Sequence, residues 1–187
     1  MPNMTGFFAS LRPQTARQKT GWAVAGTICV GLCAGFEGYA AHPYVDRVGT
    51  GRPITWCYGE TKADGPVPSM NATFTKQQCE DMLVKSLVKY DDAIKKYIKV
   101  VMGPNTEAAM ADAAYNLGPG VFARGGMTRY LNAGGDFNAN GAQTPVYHRN
   151  HPQACNSLKA YVRAQGKVLA GLVRRRNAEA ALCHKED

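Results

Sequence analysis

The sequence predicts one α+β domain of 187 residues: an apolar helix, a small β-hairpin, and then a run of helices. Three observations predict it. Residues 21–36 carry no charge and are mostly apolar. Residues 44–48 and 54–58 are β-prone and flank a Gly- and Pro-containing turn over 49–53, the pattern of a hairpin. From Thr75 onward the apolar positions recur at helical spacing. An apolar fraction of 45% supports a single core, and 19% charged residues argues against disorder for the bulk of the chain.

The first helix has two readings. Residues 1–20 hold Arg12, Arg17 and Lys19 and no acid, so a basic leader precedes the apolar run, which is the outline of an export signal. The run is shorter than the roughly 20 residues of a membrane span and is diluted by Gly21, Gly26, Gly31 and Gly35. It reads as a weak membrane anchor, with an ordinary buried helix as the alternative. We divide the chain into this leader and anchor-like segment, 1–36, and a domain over 37–187 whose first helix overlaps residues 26–40.

Beyond the hairpin, residues 59–70 read as a loop or a short third strand. A helix then starts after Thr75, where Thr75 and Gln78 form a capping box and Phe74 precedes it as a staple. Cys79, Met82, Leu83, Leu87, Tyr90, Ile94 and Ile98 mark its buried face. A second helix runs from Asn105 to Leu117, stopped by Gly118, Pro119 and Gly120. A short helix over 127–132 and a loop from Gly134 to about His151 follow. Closing helices are expected over 155–173 and 174–183, with interruptions near Gly166 and Gly171.

Lys and Arg number 22 against 14 acids, a net charge of +8, which favours polyanionic partners such as an acidic cell wall. No nucleic-acid-binding signature accompanies it, so nucleic acid is not an expected partner. The six cysteines, Cys29, Cys33, Cys57, Cys79, Cys155 and Cys183, form no close pair of the kind structural zinc uses. An even count suits disulfides outside the cytoplasm, and spacing alone leaves their pairing open. His148, His151 and Cys155 imitate a metal site but lack a nearby fourth ligand.

Glu37 closes the apolar segment between Phe36 and Gly38. Apolar surroundings disfavour a carboxylate anion and suit a general acid. Asp46 lies on the first predicted strand and Thr55 on the second, so a helix end and a hairpin can place them across a groove. Glycoside hydrolysis needs such an arrangement: one carboxyl protonates the leaving oxygen while a group on the other face guides water. By spacing alone a surface pair is the commoner reading.

Three motifs occur in order. Gly35-Phe36-Glu37-Gly38 with Asp46 and Thr55 is the first, and Tyr115-Asn116-Leu117-Gly118-Pro119-Gly120 the second. The third joins Gly171 and Leu172 to Arg175, Arg176 and Glu179. Together they resemble the phage-type lysozymes, or endolysins, of glycoside hydrolase family 24, over roughly Gly35 to Cys183. The resemblance implies a lysozyme-like fold with a small β lobe on a larger helical lobe and a groove between them. It implies Glu37 as general acid, with Asp46 and Thr55 positioning water, and hydrolysis with inversion of the β-1,4 bond between N-acetylmuramic acid and N-acetylglucosamine. It places Asn116, Tyr115 and Glu60 along the sugar groove, with a helix cap as the alternative for Asn116. Either Arg175 or Arg176 reaches Glu37, or both belong to a solvated basic face. No cofactor or metal is required, since carboxylates suffice.

The same resemblance pairs Cys57 with Cys79 and Cys155 with Cys183, although Cys29 and Cys33 could compete, or be small apolar residues of a helix. It implies a monomer acting on peptidoglycan, exported to the periplasm of a bacterial host and held transiently at the inner membrane by residues 21–36, as in signal-anchor-release endolysins. Residence in the host cytoplasm until the membrane is permeabilised is the alternative. Four departures stand out. Residues 51–53 lengthen the hairpin turn; Glu60 stands where a His often follows; Tyr161 replaces a Trp; and the loop from Gly134 to Pro152 is expanded.

Overall fold

The structure is a computed structural model that describes residues 16–47, 51–134 and 145–185, with side chains from 24 to 47, 51 to 134 and 150 to 185. Most of the basic leader, residues 1–15, and the part of the expanded loop over 135–144 lie outside the described residues, as does the side chain of His148.

Helix α1 (Ala16–Glu37) leads into a two-stranded antiparallel hairpin, β1 (Ala40–Val45) and β2 (Ile54–Cys57). Helices α2 (Lys76–Ile94), α3 (Pro104–Leu117), α4 (Gly126–Gly134), α5 (Pro145–Ser157) and α6 (Ala170–Cys183) follow. A 3-10 turn, Pro119–Phe122, precedes α4. A second, Leu158–Ala160, follows α5 and leads into a two-residue-per-strand ribbon, β3 (Arg163–Ala164) and β4 (Lys167–Val168).

Helix α3 is the hub. Every residue from Thr106 to Ala114 is buried, and α1, α2 and α6 all pack on it. Its alanines let three neighbours approach closely, and a helix that is apolar around its circumference has to be buried. Pro104 starts it at a position where the missing N–H costs nothing, and Gly118, at φ +79°, ends it. Helix α2 begins with the expected capping box: Gln78 N–H donates to Thr75 Oγ1 at 3.2 Å, and Thr75 N–H to Gln78 Oε1 at 2.8 Å. Ala25, Cys29, Val30 and Cys33 of α1 are buried in the core.

The structure moves several expected boundaries. The first strand is 40–45 rather than 44–48, and its register slips between Ala40 and Tyr44, where Pro43 has no N–H for the ladder. Asp46 therefore lies just past β1 instead of on it. Residues 145–151, expected as loop, belong to α5. The helix expected over 155–173 is interrupted by the β3–β4 ribbon, whose turn is made by Gln165 at φ +49° and Gly166 at φ +77°. The interruption near Gly166 is real, whereas Gly171 lies inside α6. Two disulfides join Cys57 to Cys79 and Cys155 to Cys183, tying β2 to α2 and α5 to α6. Each closes a loop whose entropy is worth about 3 kcal/mol. Cys29 and Cys33 are free and fully buried.

Candidate active site

Glu37 is the last residue of α1, where the helix meets the hairpin. Its Oε1 pairs with Arg175 Nη1 from α6. Its Oε2 lies against Gly59, close enough that a Cβ there would sit 2.9 Å away. Gly59 also adopts φ +94°, so the tight turn over 56–60 and its approach to the acid both require glycine. That turn is closed by Glu60 N–H donating to Trp56 O at 3.0 Å and Trp56 N–H to Glu60 O at 3.1 Å.

Arg175 is 4% exposed and holds more than Glu37. Its Nε donates to Asp112 Oδ2 and its Nη2 to Asp112 Oδ1, both at 3.0 Å, a bidentate pair across α3 and α6. Glu179 Oε1 is 3.3 Å from Nε, and the Phe36 ring lies 5.6 Å from the guanidinium carbon. Burial opposes the guanidinium charge, but Asp112 and Glu37 outweigh it and hold Arg175 cationic, above the usual arginine range. Burial and the Asp112 carboxylate push Glu179 up to about 9 against the pull of Arg176 and Arg175. Arg175 thus sits among Glu37, Asp112 and Glu179, and Arg176 against Glu179.

Of the two arginines, Arg175 takes Glu37. Arg176 turns away, donating from Nη2 to Asn116 Oδ1 at 3.1 Å and contacting Glu179. Arg174 is exposed, as a run of three on one helix demands. Asn116 is half-buried at the end of α3 with its carbonyl oriented by Arg176.

Thr55 is paired with Tyr44 across the hairpin and is buried, and its Oγ1 has no hydrogen-bond partner among the described residues. Asp46 is half-buried, and its N–H donates to Pro53 O at 2.9 Å, closing the hairpin connection. The Tyr44 phenol is raised by partial burial, then by the Asp46 and Glu37 carboxylates, so both acids lie within electrostatic reach of one strand residue.

Two expected groove residues are placed differently. Glu60 is 2% exposed, and its Oε2 accepts the Tyr58 N–H at 2.8 Å rather than facing solvent. Tyr115 spends its hydroxyl on Tyr58 O, at 2.9 Å, and packs edge-on against Tyr90. Both bond the backbone of the hairpin turn at Tyr58. Asp112 and Gly59 were not singled out in the sequence. A single acid inside an alanine run, flanked on both sides by residues that must be buried, was the available signal for Asp112. Gly59 had none beyond the turn itself.

Glu60 makes a pH-dependent contribution. Burial pushes its carboxyl up to about 7, opposed by the Tyr58 and Glu60 N–H groups and assisted by Asp64 and Glu37. Between its ordinary value near 4.5 and about 7 the folded chain keeps a proton the unfolded chain has lost. Stability from this group is therefore full below 4.5 and is lost as pH rises through 7. Relative to the wild type, Glu60→Gln should gain about 3 kcal/mol across that window, read as a pH-dependent gap between denaturation midpoints. A gap that stays constant with pH would show that Glu60 titrates normally.

Residues 34–179 match the family described as Phage lysozyme. The SAR-endolysin of Bacteriophage PS119 is 33% identical over 149 residues, covering 80% of this chain and 77% of the relative. That of Enterobacteria phage P21 is 32% identical, covering 80% and 78%. The fold resembles the endolysin from Escherichia coli O157:H7 phage FAHEc1, with a TM-score of 0.68, 24% identity, and 84% and 90% of the two chains covered. It also resembles a mutant form of P22 lysozyme, with a TM-score of 0.65, 24% identity, and 84% and 95% covered. The chain belongs to the phage lysozyme family and is a peptidoglycan-degrading endolysin, a muramidase that serves host lysis.

Proposed function

We propose that Glu37 protonates the oxygen of the β-1,4 bond between N-acetylmuramic acid and N-acetylglucosamine, and that Asp46 and Thr55 position the attacking water on the other face of the sugar. The observation that carries this reading is the placement of Glu37 between Arg175 and the Gly59 turn, where the helical and hairpin lobes meet. Arg175 anchors Oε1, leaving Oε2 on the hairpin side as the oxygen that carries the proton. Asp112 occupies Nε and Nη2 of the same guanidinium, so the clamp is preorganised and its charge is shared. The buried Thr55 Oγ1 and the nearby Asp46 supply a hydroxyl and a carboxylate suited to holding a water. Asn116, oriented by Arg176, is the side chain best disposed to meet a sugar substituent.

Hydrolysis of purified walls by variants tests the roles. Asp46→Asn should be severely impaired and Thr55→Ala measurably so, each with the wild-type fold. If Asp46→Asn cleaves walls at the wild-type rate, the water-positioning role is wrong. The resemblance further implies inversion, so the first-formed muramic acid end should be the α anomer.

We further infer that the enzyme is exported to the periplasm and held transiently at the inner membrane by residues 21–36 before release. The name SAR-endolysin carried by relatives supports it, as does the uncharged apolar run. Among the described residues no helix is long and apolar enough to cross a membrane, so retention rests on marginal hydropathy and release is easy. Once α1 has left the membrane, Ala25, Cys29, Val30 and Cys33 fill the core beside α3, and Glu37 reaches Arg175. While α1 is held in lipid, neither contact forms and the enzyme is inactive. A Cβ at Gly31 meets nothing within 4 Å, so Gly31→Leu adds hydropathy without crowding the folded enzyme. It should enlarge the membrane fraction of expressing cells and delay lysis. An unchanged distribution, or wild-type protein soluble in the cytoplasm from the outset, would sink the tether.

A further inference from the structure

His151, Cys155 and Cys183 converge away from the active site, where α5 packs on α6. All three are buried. Two of them are the disulfide, and the third presents one ring nitrogen to both sulfurs: His151 Nε2 is 3.6 Å from Cys155 Sγ and 3.8 Å from Cys183 Sγ. Thr106 Oγ1 from α3 lies 2.7 Å from the same nitrogen.

These separations have a chemical meaning. Zinc binds thiolate at about 2.3 Å and imidazole at about 2.0 Å, which in a tetrahedral site puts nitrogen and sulfur about 3.5 Å apart and two sulfurs about 3.8 Å apart. Both nitrogen–sulfur distances are already near that value. Only the two sulfurs must separate, by side-chain rotation between Cα atoms 5.6 Å apart. Thr106 Oγ1, which shares that nitrogen, would yield it to the metal, and water would take the fourth position. The group unites the His151 and Cys155 of the sequence pattern with Cys183, the partner of Cys155 in the disulfide.

We propose that the reduced chain binds one zinc ion through His151 Nε2 and the thiolates of Cys155 and Cys183, and that disulfide formation expels it. The same three residues then fasten α5 to α6 in either redox state: by metal in a reducing compartment, by a covalent bond in an oxidising one. Loading zinc on the dithiol releases two protons. In the oxidation, a small-molecule or protein disulfide takes two electrons from the thiolates. The sulfur–sulfur bond of the oxidant breaks, two protons are taken up to give two thiols, the Cys155–Cys183 bond forms, and zinc leaves as the aqueous ion.

Cobalt(II) is the probe, because thiolate ligation gives charge-transfer bands and a tetrahedral site gives intense visible bands. The full chain is reduced with a phosphine, freed of metal and titrated with cobalt, then with zinc. One cobalt per chain with thiolate bands, displaced by one zinc, is expected. His151→Gln removes a direct ligand and should weaken binding by more than the roughly 100-fold that loss of an outer-shell partner reaches. His151→Cys, which restores a third ligand, should bind again with stronger charge-transfer intensity. Reduced wild type with no stoichiometric thiolate-bound cobalt overturns the proposal. So do His151 variants whose affinity and spectrum match the wild type, which would place the metal at other cysteines.

Discussion

Glu37→Gln is expected to lower wall hydrolysis by roughly 100- to 10,000-fold while leaving the fold intact, the range that loss of a general acid produces. The substitution is nearly isosteric. The amide oxygen can still accept from Arg175 Nη1, and Arg175 keeps its two bonds to Asp112 and its contact with Glu179. What is lost is the exchangeable proton on the oxygen facing the hairpin lobe. The thermal midpoint should therefore move little while turnover collapses. A folded Glu37→Gln enzyme that clears walls within a few-fold of the wild type would mean that some other group supplies the proton.

Asp112→Ala is expected to cost about 3–5 kcal/mol of stability, the usual penalty for removing one partner of a buried ion pair. Asp112 is 0% exposed and, among the described residues, is the one that meets Arg175 through two parallel bonds. Without it, a buried guanidinium remains with Glu37 and with Glu179, neither of which meets it through two parallel bonds. The arginine would follow Glu37 rather than position it, so activity should fall even at temperatures where the variant is folded. Asp112→Asn keeps the shape and one acceptor and should lie between the two. Chemical denaturation measures the effect. A loss under about 1 kcal/mol, as for an exposed pair, would show that the cluster does not carry the core.

The elements that were legible in the sequence are those set by local chemistry. Thr75, Gln78 and the periodic face beginning at Cys79 define α2 by themselves, and Gly118 ends α3. The elements where the structure departs from the local pattern depend on distant partners. The β3–β4 ribbon is four paired residues around Gln165 and Gly166, too short to leave a two-residue period, and an extended helix fits the same letters. At the site, Glu37, Asp46, Thr55 and the two arginines could be nominated from motifs. Which arginine meets Glu37 depends on how α6 is rotated against α3, and Asp112 decides it. Glu60 and Tyr115, expected along the groove, both bond the backbone of Tyr58, contacts that no local pattern announces. The apolar segment 21–36 is ambiguous for a physical reason. Its glycines, alanines and cysteines are small enough for the crowded face of α3 and apolar enough for lipid, and either environment satisfies them.

Cleavage of the glycan strand by water, with Glu37 as the acid, has a direct chemical readout. Purified peptidoglycan digested by the wild type, reduced with borohydride and hydrolysed, should yield reduced muramic acid in proportion to the loss of turbidity. Glu37→Gln should yield almost none. New reducing ends at glucosamine, new free amino groups from peptide cleavage, or equal muramic acid release by Glu37→Gln would contradict it.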